Sequence, residues 1–191
     1  MTMSRRQILL KEAAQLFRKK GYLSSSLREL AKRAGIQGGS VYHHFGSKQE
    51  ILFQVMDNTM STMIKNANAV LVQSKNLEAQ LCALMHFHIG YTISDSDETF
   101  ITDDELRHLD EDNYSKVIAK RDKYQKLFED IFTAGKEQGW QVVDPKLAAR
   151  AAIQMSTGVS RWYRADSALS IDEIAEQYTK IILSGLLPRE A

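Results

Sequence analysis

Apolar residues recur at three- and four-residue spacing along nearly the whole chain, with polar residues between them, which is the period of an α-helix. Leu9, Leu10, Ala13, Leu16 and Phe17 set out a first helix ended by Gly21. Leu27, Leu30, Ala31 and Ala34 set out a second, very short helix closed by Gly35, and a third is expected from about Gly38 to Phe45, before the Gly46-Ser47 break. Ser47, with Glu50 three residues later, reads as a capping box for a long fourth helix. Its apolar face is Ile51, Leu52, Val55, Met56, Met60, Met63, Ile64, Ala67 and Leu71. Beyond it the pattern predicts a helix over 77–93, a polar loop at 94–99, a short helix near 102–112 and a long one over 114–138, stopped by Gly139. Asp144-Pro145 joins an N-cap to a proline at the first helical position and opens a helix to about Tyr163. Ser170 with Glu173 forms another capping box, opening a last helix to about Leu186, with Gly185 and Pro188 marking its end. No alternating strand pattern competes, so the expected fold is all-α with about nine helices and no internal repeat.

The short second helix, tight turn and short third helix have the form of a helix-turn-helix. In that motif the first helix braces across the DNA backbone, and the second enters the major groove. Gly35 suits the reversal between them because glycine tolerates φ > 0. Ala31 and Ala34 permit close crossing, and Leu30, Ile36, Val41 and Phe45 can fill the space beneath. A generic helical hairpin accounts for those apolar positions equally well. It does not account for the polar and small set Ser26, Arg28, Gln37, Gly38, Gly39, Ser40, Tyr42, His43 and Lys48, each a phosphate or base-edge partner by its chemistry. The adjacent His43 and His44 diverge on a helix, which argues against a metal site.

Charge strengthens this reading. Residues 1–50 carry ten Lys/Arg against three acids, a balance of +7, while the remainder carries fifteen against twenty-one, a balance of −6, within a chain of net charge +1. A basic segment on an acidic body is the footprint of a phosphate-binding module.

Ala13-Ala14-Gln15-Leu16-Phe17 with Gly21-Tyr22, then Ser26 to Ile36, then Gly39-Ser40-Val41-Tyr42-His43-His44-Phe45-Gly46-Ser47-Lys48-Gln49-Glu50-Ile51-Leu52, resemble the N-terminal signature of the TetR family of bacterial repressors. The resemblance implies a two-fold dimer, with a DNA-binding domain at 1–47 and a ligand-binding and dimerisation domain at 48–191. It assigns phosphate contacts to Ser26, Tyr42 and Lys48, base or nearby backbone contacts to Gln37, Gly38, Ser40 and His43, and packing roles to His44 and Phe45. Gln37 departs from the Ser or Thr that usually caps the third helix, which implies a weaker cap. Gly38-Gly39 gives that helix a flexible start, at a cost of about 1 kcal/mol per glycine relative to alanine.

The body of the chain is less specific. In the family the last two helices form a four-helix dimer interface, which gives a purpose to Ala148, Ala151, Ala152, Ser156 and Gly158; ordinary intramolecular core accounts for them as well. Candidate effector-binding residues interrupt the apolar faces: His86, Tyr91, Arg107, Arg121, Tyr124, Phe128, Arg161, Trp162 and Arg164, with His88, Tyr114 and Tyr163 in the same class. The Arg161-Trp162-Tyr163-Arg164 cluster and the run from Arg121 to Phe128 are similar to TetR-family regulators of fatty-acid and sterol breakdown, which implies an acyl-coenzyme A thioester as effector. Arginines can fork onto coenzyme phosphates, tryptophan can stack on adenine, and Met and Leu can accept an acyl chain.

No catalytic carboxylate pair, nucleophile–base signature, phosphate loop or metal-ligand set appears, so neither an enzyme nor a resident cofactor is expected. The lone Cys82 fits a reducing cytoplasm, and no apolar run approaches the ~18 residues of a membrane span. The sequence therefore predicts a cytoplasmic, homodimeric repressor that leaves a near-palindromic operator when a small molecule binds. An activator, or a regulator of multidrug efflux on the same fold, is the nearest alternative; a helical enzyme or scaffold is the alternative of a different class.

Overall fold

A computed structural model describes residues 3–164, 166 and 168–186, and among them every regular element is helical. The α-helices are α1 (Arg5–Lys20), α2 (Leu27–Arg33), α3 (Lys48–Val72), α4 (Leu77–Ser94), α5 (Ser96–Asp104), α6 (Glu111–Glu137), α7 (Pro145–Trp162) and α8 (Ile171–Leu186). Two short 3₁₀ helices, Gly38–His43 and Leu106–His108, stand between α2 and α3 and between α5 and α6. Pro188, expected to mark the end of the last helix, lies outside the described residues.

The helix starts are set by local hydrogen bonds. Ser26 caps α2 with Glu29 in a reciprocal capping box, Asp144 accepts the Lys146 and Leu147 N–H groups at the start of α7, and Ser170 pairs with Glu173 at the start of α8. Each such cap is worth about 1 kcal/mol. The box expected at Ser47 forms only by half. Ser47 Oγ accepts the Glu50 N–H at 3.0 Å, but the Glu50 carboxylate takes the Gly46 N–H instead, at 2.7 Å.

Two expectations are corrected. The segment 94–99 is not a loop: α5 begins at Ser96, and its first-turn acids Asp97 and Glu98 suit the positive end of a helix. The helix expected near 102–112 is consequently divided between the end of α5 and the 3₁₀ turn Leu106–His108. The third helix is a six-residue 3₁₀ segment ending at His43, not an α-helix reaching Phe45. It opens on Gly38-Gly39 and Gln37 supplies no side-chain cap, so little holds its first turn in α geometry.

The chain packs as two compact units. One comprises residues up to Ser61 with Asp95–Lys120, the other Thr62–Ser94 with the described residues from Arg121 onward. In the first, Leu9, Ala13, Leu16 and Phe17 of α1, Leu30 and Ala31 of α2, Val41, Phe45, and Ile51, Leu52, Val55 and Met56 of α3 are buried. In the second, α4 buries Leu81, Leu84, Met85, His88, Ile89 and Thr92 and packs against α7 and α8. Ile89, Val159, Ile174 and Ala175 are fully buried there, with Ile93, Tyr163, Ile171 and Tyr178 around them. Of the small residues on α7, Ala152 and Ser156 face inward and are buried, whereas Ala151 is exposed. No described helix is long and apolar enough to cross a membrane.

Candidate nucleic-acid interface and effector site

The turn between α2 and the first 3₁₀ helix is built by Gly35 at φ +66°, a conformation that side chains with a Cβ rarely adopt. The Ile36 N–H returns to the Ala31 carbonyl at 3.0 Å, which closes the turn. Val41 and Phe45 then dock inward, at 0% and 1% exposure. Their burial turns Gln37, Gly38, Gly39, Tyr42 and His43 outward, with Ser40 half-buried; Tyr42 is 61% exposed. The Arg6 guanidinium lies 4.7 Å from the Phe45 ring centre and pairs with Glu50 at 3.2 Å, bracing the end of this segment against α1 and α3. The expected polar set is thus displayed on one short segment and on the exposed turns of α2, where Arg28 and Lys32 lie one turn apart.

Three features were not visible in the charge count. Arg6, Arg18, Lys20 and Arg33 pair with Glu50, Asp97, Glu29 and Glu12, and the Lys48 ammonium is taken by backbone carbonyls, so half of the ten N-terminal cations are engaged within the unit. The surface pairs contribute little stability each, about 0–1 kcal/mol. Ser26, expected at phosphate, is exposed, and its hydroxyl is occupied with the Glu29 N–H and carboxylate. Glu105, buried at 7% exposure, accepts the Tyr22 N–H at 3.2 Å and pairs with His108 at 3.2 Å, tying residues 105–108 to the loop before α2.

The expected effector residues are not gathered in one place. Tyr124 and Phe128 are buried in the second unit, at 3% and 0% exposure, and their rings pack edge to face 5.8 Å apart. Arg121 shares their helical face on α6 and is half-buried, as is Tyr91 on α4. Arg161, Trp162 and Arg164 are exposed at the end of α7, His86 is exposed and pairs with Asp172 of α8, and Arg107 is exposed within the first unit. The polar centre of the second unit is His88, whose Nδ1 lies 3.0 Å from the Tyr124 hydroxyl and whose Nε2 lies 2.8 Å from Thr157 Oγ1. Burial pulls the His88 pKa down to about 4, so the ring is neutral near pH 7 and offers one donor and one acceptor to these two hydroxyls. Burial, and then proximity to Tyr91, push the Tyr124 phenol above the usual tyrosine range. Thr157 was not expected, because a threonine on an amphipathic helix carries no signal of a buried partner. No group of three or more His, Cys, Asp or Glu among the described residues is placed to hold a metal ion.

A helical chain with an exposed polar helix-turn-helix segment in one unit and a buried aromatic–histidine centre in the other defines a DNA-binding regulator with a separate sensing core. Residues 9–55 match the sequence pattern of the bacterial regulatory proteins of the tetR family, and residues 74–186 match that of the tetracyclin repressor-like C-terminal domain. The chain belongs to the TetR family and is a ligand-responsive DNA-binding transcriptional regulator, not an enzyme. It is 30% identical over 187 residues to the HTH-type transcriptional repressor KstR2 of Mycobacterium tuberculosis, covering 96% of this chain and 93% of the relative. The solved structure of that protein, described as a ketosteroid transcriptional regulator, superposes with a TM-score of 0.87 at 26% identity over 99% of this chain and 98% of the other. PfmR of Thermus thermophilus gives a TM-score of 0.83 at 32% identity, covering 94% and 99% of the two chains. AibR, solved with isovaleryl coenzyme A and operator DNA, shares the fold with a TM-score of 0.86 at 24% identity, covering 96% and 100%.

Proposed function

We propose that this protein is a cytoplasmic homodimeric repressor whose effector is a coenzyme A thioester of an aliphatic or steroid-derived acid. The observation that carries the reading is the similarity to KstR2 along nearly the whole of both chains, which includes the sensing half as well as the DNA-binding half. The thioester class is supported by the AibR complex with isovaleryl coenzyme A on the same fold, and by an apolar, aromatic core with a polar centre at His88 and Tyr124. Dimerisation places two recognition segments in successive major grooves, about 34 Å apart, on a near-palindromic site. The effector acts by favouring a conformer in which the two segments no longer match that spacing, and affinity falls by the difference between its binding to the two conformers. α3 and α6 each contribute residues to both compact units, which makes them the elements on which such a change acts.

The test is fluorescence anisotropy with a labelled duplex from the DNA directly upstream of the protein's own coding sequence. Salt-dependent binding is expected, with release on addition of isovaleryl, palmitoyl or steroid-acid coenzyme A thioesters and none with the free acids. Tight duplex binding unaffected by any thioester at tens of micromolar overturns the effector assignment and leaves an efflux-type or other inducer as the reading.

A further inference from the structure

The ammonium of Lys48 donates to the carbonyl oxygens of Tyr22 at 2.7 Å, Ser25 at 2.7 Å and Leu23 at 3.3 Å, and lies 4.3 Å from the centre of the Tyr22 ring. An ammonium has three protons, and three carbonyls take them. Those carbonyls belong to the loop that joins α1 to α2, ending at Ser26, the cap of α2. The loop has few other ties: Ser25 N–H to Tyr22 O at 3.2 Å, Ser25 hydroxyl to Gly21 O at 2.7 Å, and Tyr22 N–H to Glu105 at 3.2 Å. We propose that Lys48 is a positioning residue for DNA binding, a clip that holds the Tyr22–Ser25 loop and so sets where α2 begins, and that it is not a phosphate contact.

A phosphate contact would require the ammonium to give up at least one carbonyl and to turn away from the Tyr22 ring. Its half-buried position, where desolvation lowers its pKa below the ordinary lysine value, works against that exchange. The next residue of α3 secures the other side. Gln49 donates to the His108 carbonyl and accepts the Asp110 N–H, while the His108 ring stacks on Tyr22 with centroids 5.8 Å apart and planes at 25°. Two consecutive residues of α3 therefore fix the α1–α2 loop and residues 105–110 to each other. The position of the α2 cap then depends on that whole cluster, and the Lys48 charge is not offered to solvent as that of a phosphate ligand is.

The experiment uses the full-length protein, K48M and the charge-preserving K48R. Affinity is measured on the upstream duplex and on a scrambled duplex across a salt series, and amide hydrogen exchange is measured in the same proteins. For a clip, K48M loses affinity for the upstream duplex by about tenfold, while the slope of log K against log salt on the scrambled duplex stays at the wild-type value. Exchange quickens at Tyr22, Leu23, Ser25 and Ser26 and not in the other helices. K48R fails to restore the affinity, because a planar guanidinium cannot aim three donors at convergent carbonyls. A slope reduced by about 0.9 per lost contact, wild-type affinity in K48R, or unchanged exchange in the loop overturns the proposal. If K48M does not fold, K48R decides, since a phosphate contact tolerates that change. The proposal rests on DNA binding by the family, not on the choice of operator. If the wild type shows no preference for the upstream duplex, that choice fails, while the salt slope and loop exchange still judge Lys48.

Discussion

The imidazole of His88 stands 2.8 Å from the Thr157 hydroxyl through Nε2 and 3.0 Å from the Tyr124 hydroxyl through Nδ1, so one neutral ring ties α4, α6 and α7 together. Burial lowers its pKa from the model-peptide 6.5 to about 4. Between those values the unfolded chain binds a proton that the folded chain excludes, so this contribution to stability is present above about pH 6.5 and lost as pH falls toward 4. The loss is on the order of 3 kcal/mol over that window. H88L is expected to remove this part of the acid sensitivity in urea unfolding at pH 7.5 and pH 5. It also lowers stability at pH 7.5 by about 1–3 kcal/mol, because Tyr124 and Thr157 lose a partner. An unchanged pH dependence in H88L argues against the neutral buried ring.

Gly135 and Trp140 make the tightest fit in the second unit. A Cβ on Gly135 falls 2.3 Å from the Trp140 ring, and the Trp140 N–H returns to the Gly135 carbonyl at 2.9 Å, holding the indole against the end of α6. The ring is 8% exposed and packs edge to face on Phe132. G135A is therefore expected to destabilise by about 1–3 kcal/mol through overpacking, although alanine is the better helix former. In the W140L background the same substitution is expected to be neutral or stabilising. Thermal melts of the single and double variants check this; additive effects rule out the clash.

How legible these features are in the sequence depends on how far each signal reaches along the chain. The starts of α2, α7 and α8 were legible at Ser26/Glu29, Asp144/Pro145 and Ser170/Glu173 because a cap is a hydrogen bond between near neighbours. The start of α5 was not, since Ser96, Asp97 and Glu98 suit an exposed loop and a helix first turn equally. His86 and His88 carried equal weight two residues apart, and only packing turns one toward Asp172 at the surface and the other into the core. The polar set from Gln37 to His43 was legible as a DNA-facing segment because its spacing with Val41 and Phe45 fixes which residues turn outward. The partners of Lys48 were not, because carbonyl oxygens exist at every position and leave no mark in the sequence.

The exposed segment separates positioning from reading in a measurable way. Tyr42 at 61% exposure and Arg28 on the outer face of α2 contribute little to the core, so Y42A and R28A are expected to change stability by less than about 0.5 kcal/mol. Both are expected to weaken DNA binding. R28A lowers the salt slope by about 0.9 if the arginine neutralises one phosphate. Q37A keeps the slope and shifts the preferred operator sequence, because an amide at the entry of the recognition segment reads base edges and neutralises no charge. Salt titrations against a randomised duplex library measure both quantities. Identical behaviour of R28A and Q37A contradicts this division.

The outer surfaces of α7 and α8 bear on how two such segments are held at the right spacing. Leu147, at 64% exposure, begins an outward stripe on α7 that continues through the exposed Ala151, the half-buried Gly158 and Trp162 at 48%. On α8 Ile181 is 58% exposed. Scattered exposed apolar residues need no partner, but a stripe at helical spacing on the two most amphipathic helices fits a subunit interface, which buries about 800 Å² per partner. L147E and I181E, singly and together, are expected to leave the helical content intact and to convert the protein to a monomer in sedimentation. Specific binding to a near-palindromic duplex then falls by orders of magnitude, because each half-site is engaged alone. Binding to a single half-site at low salt is expected to persist at wild-type strength. A double variant that stays dimeric moves the interface away from these two helices.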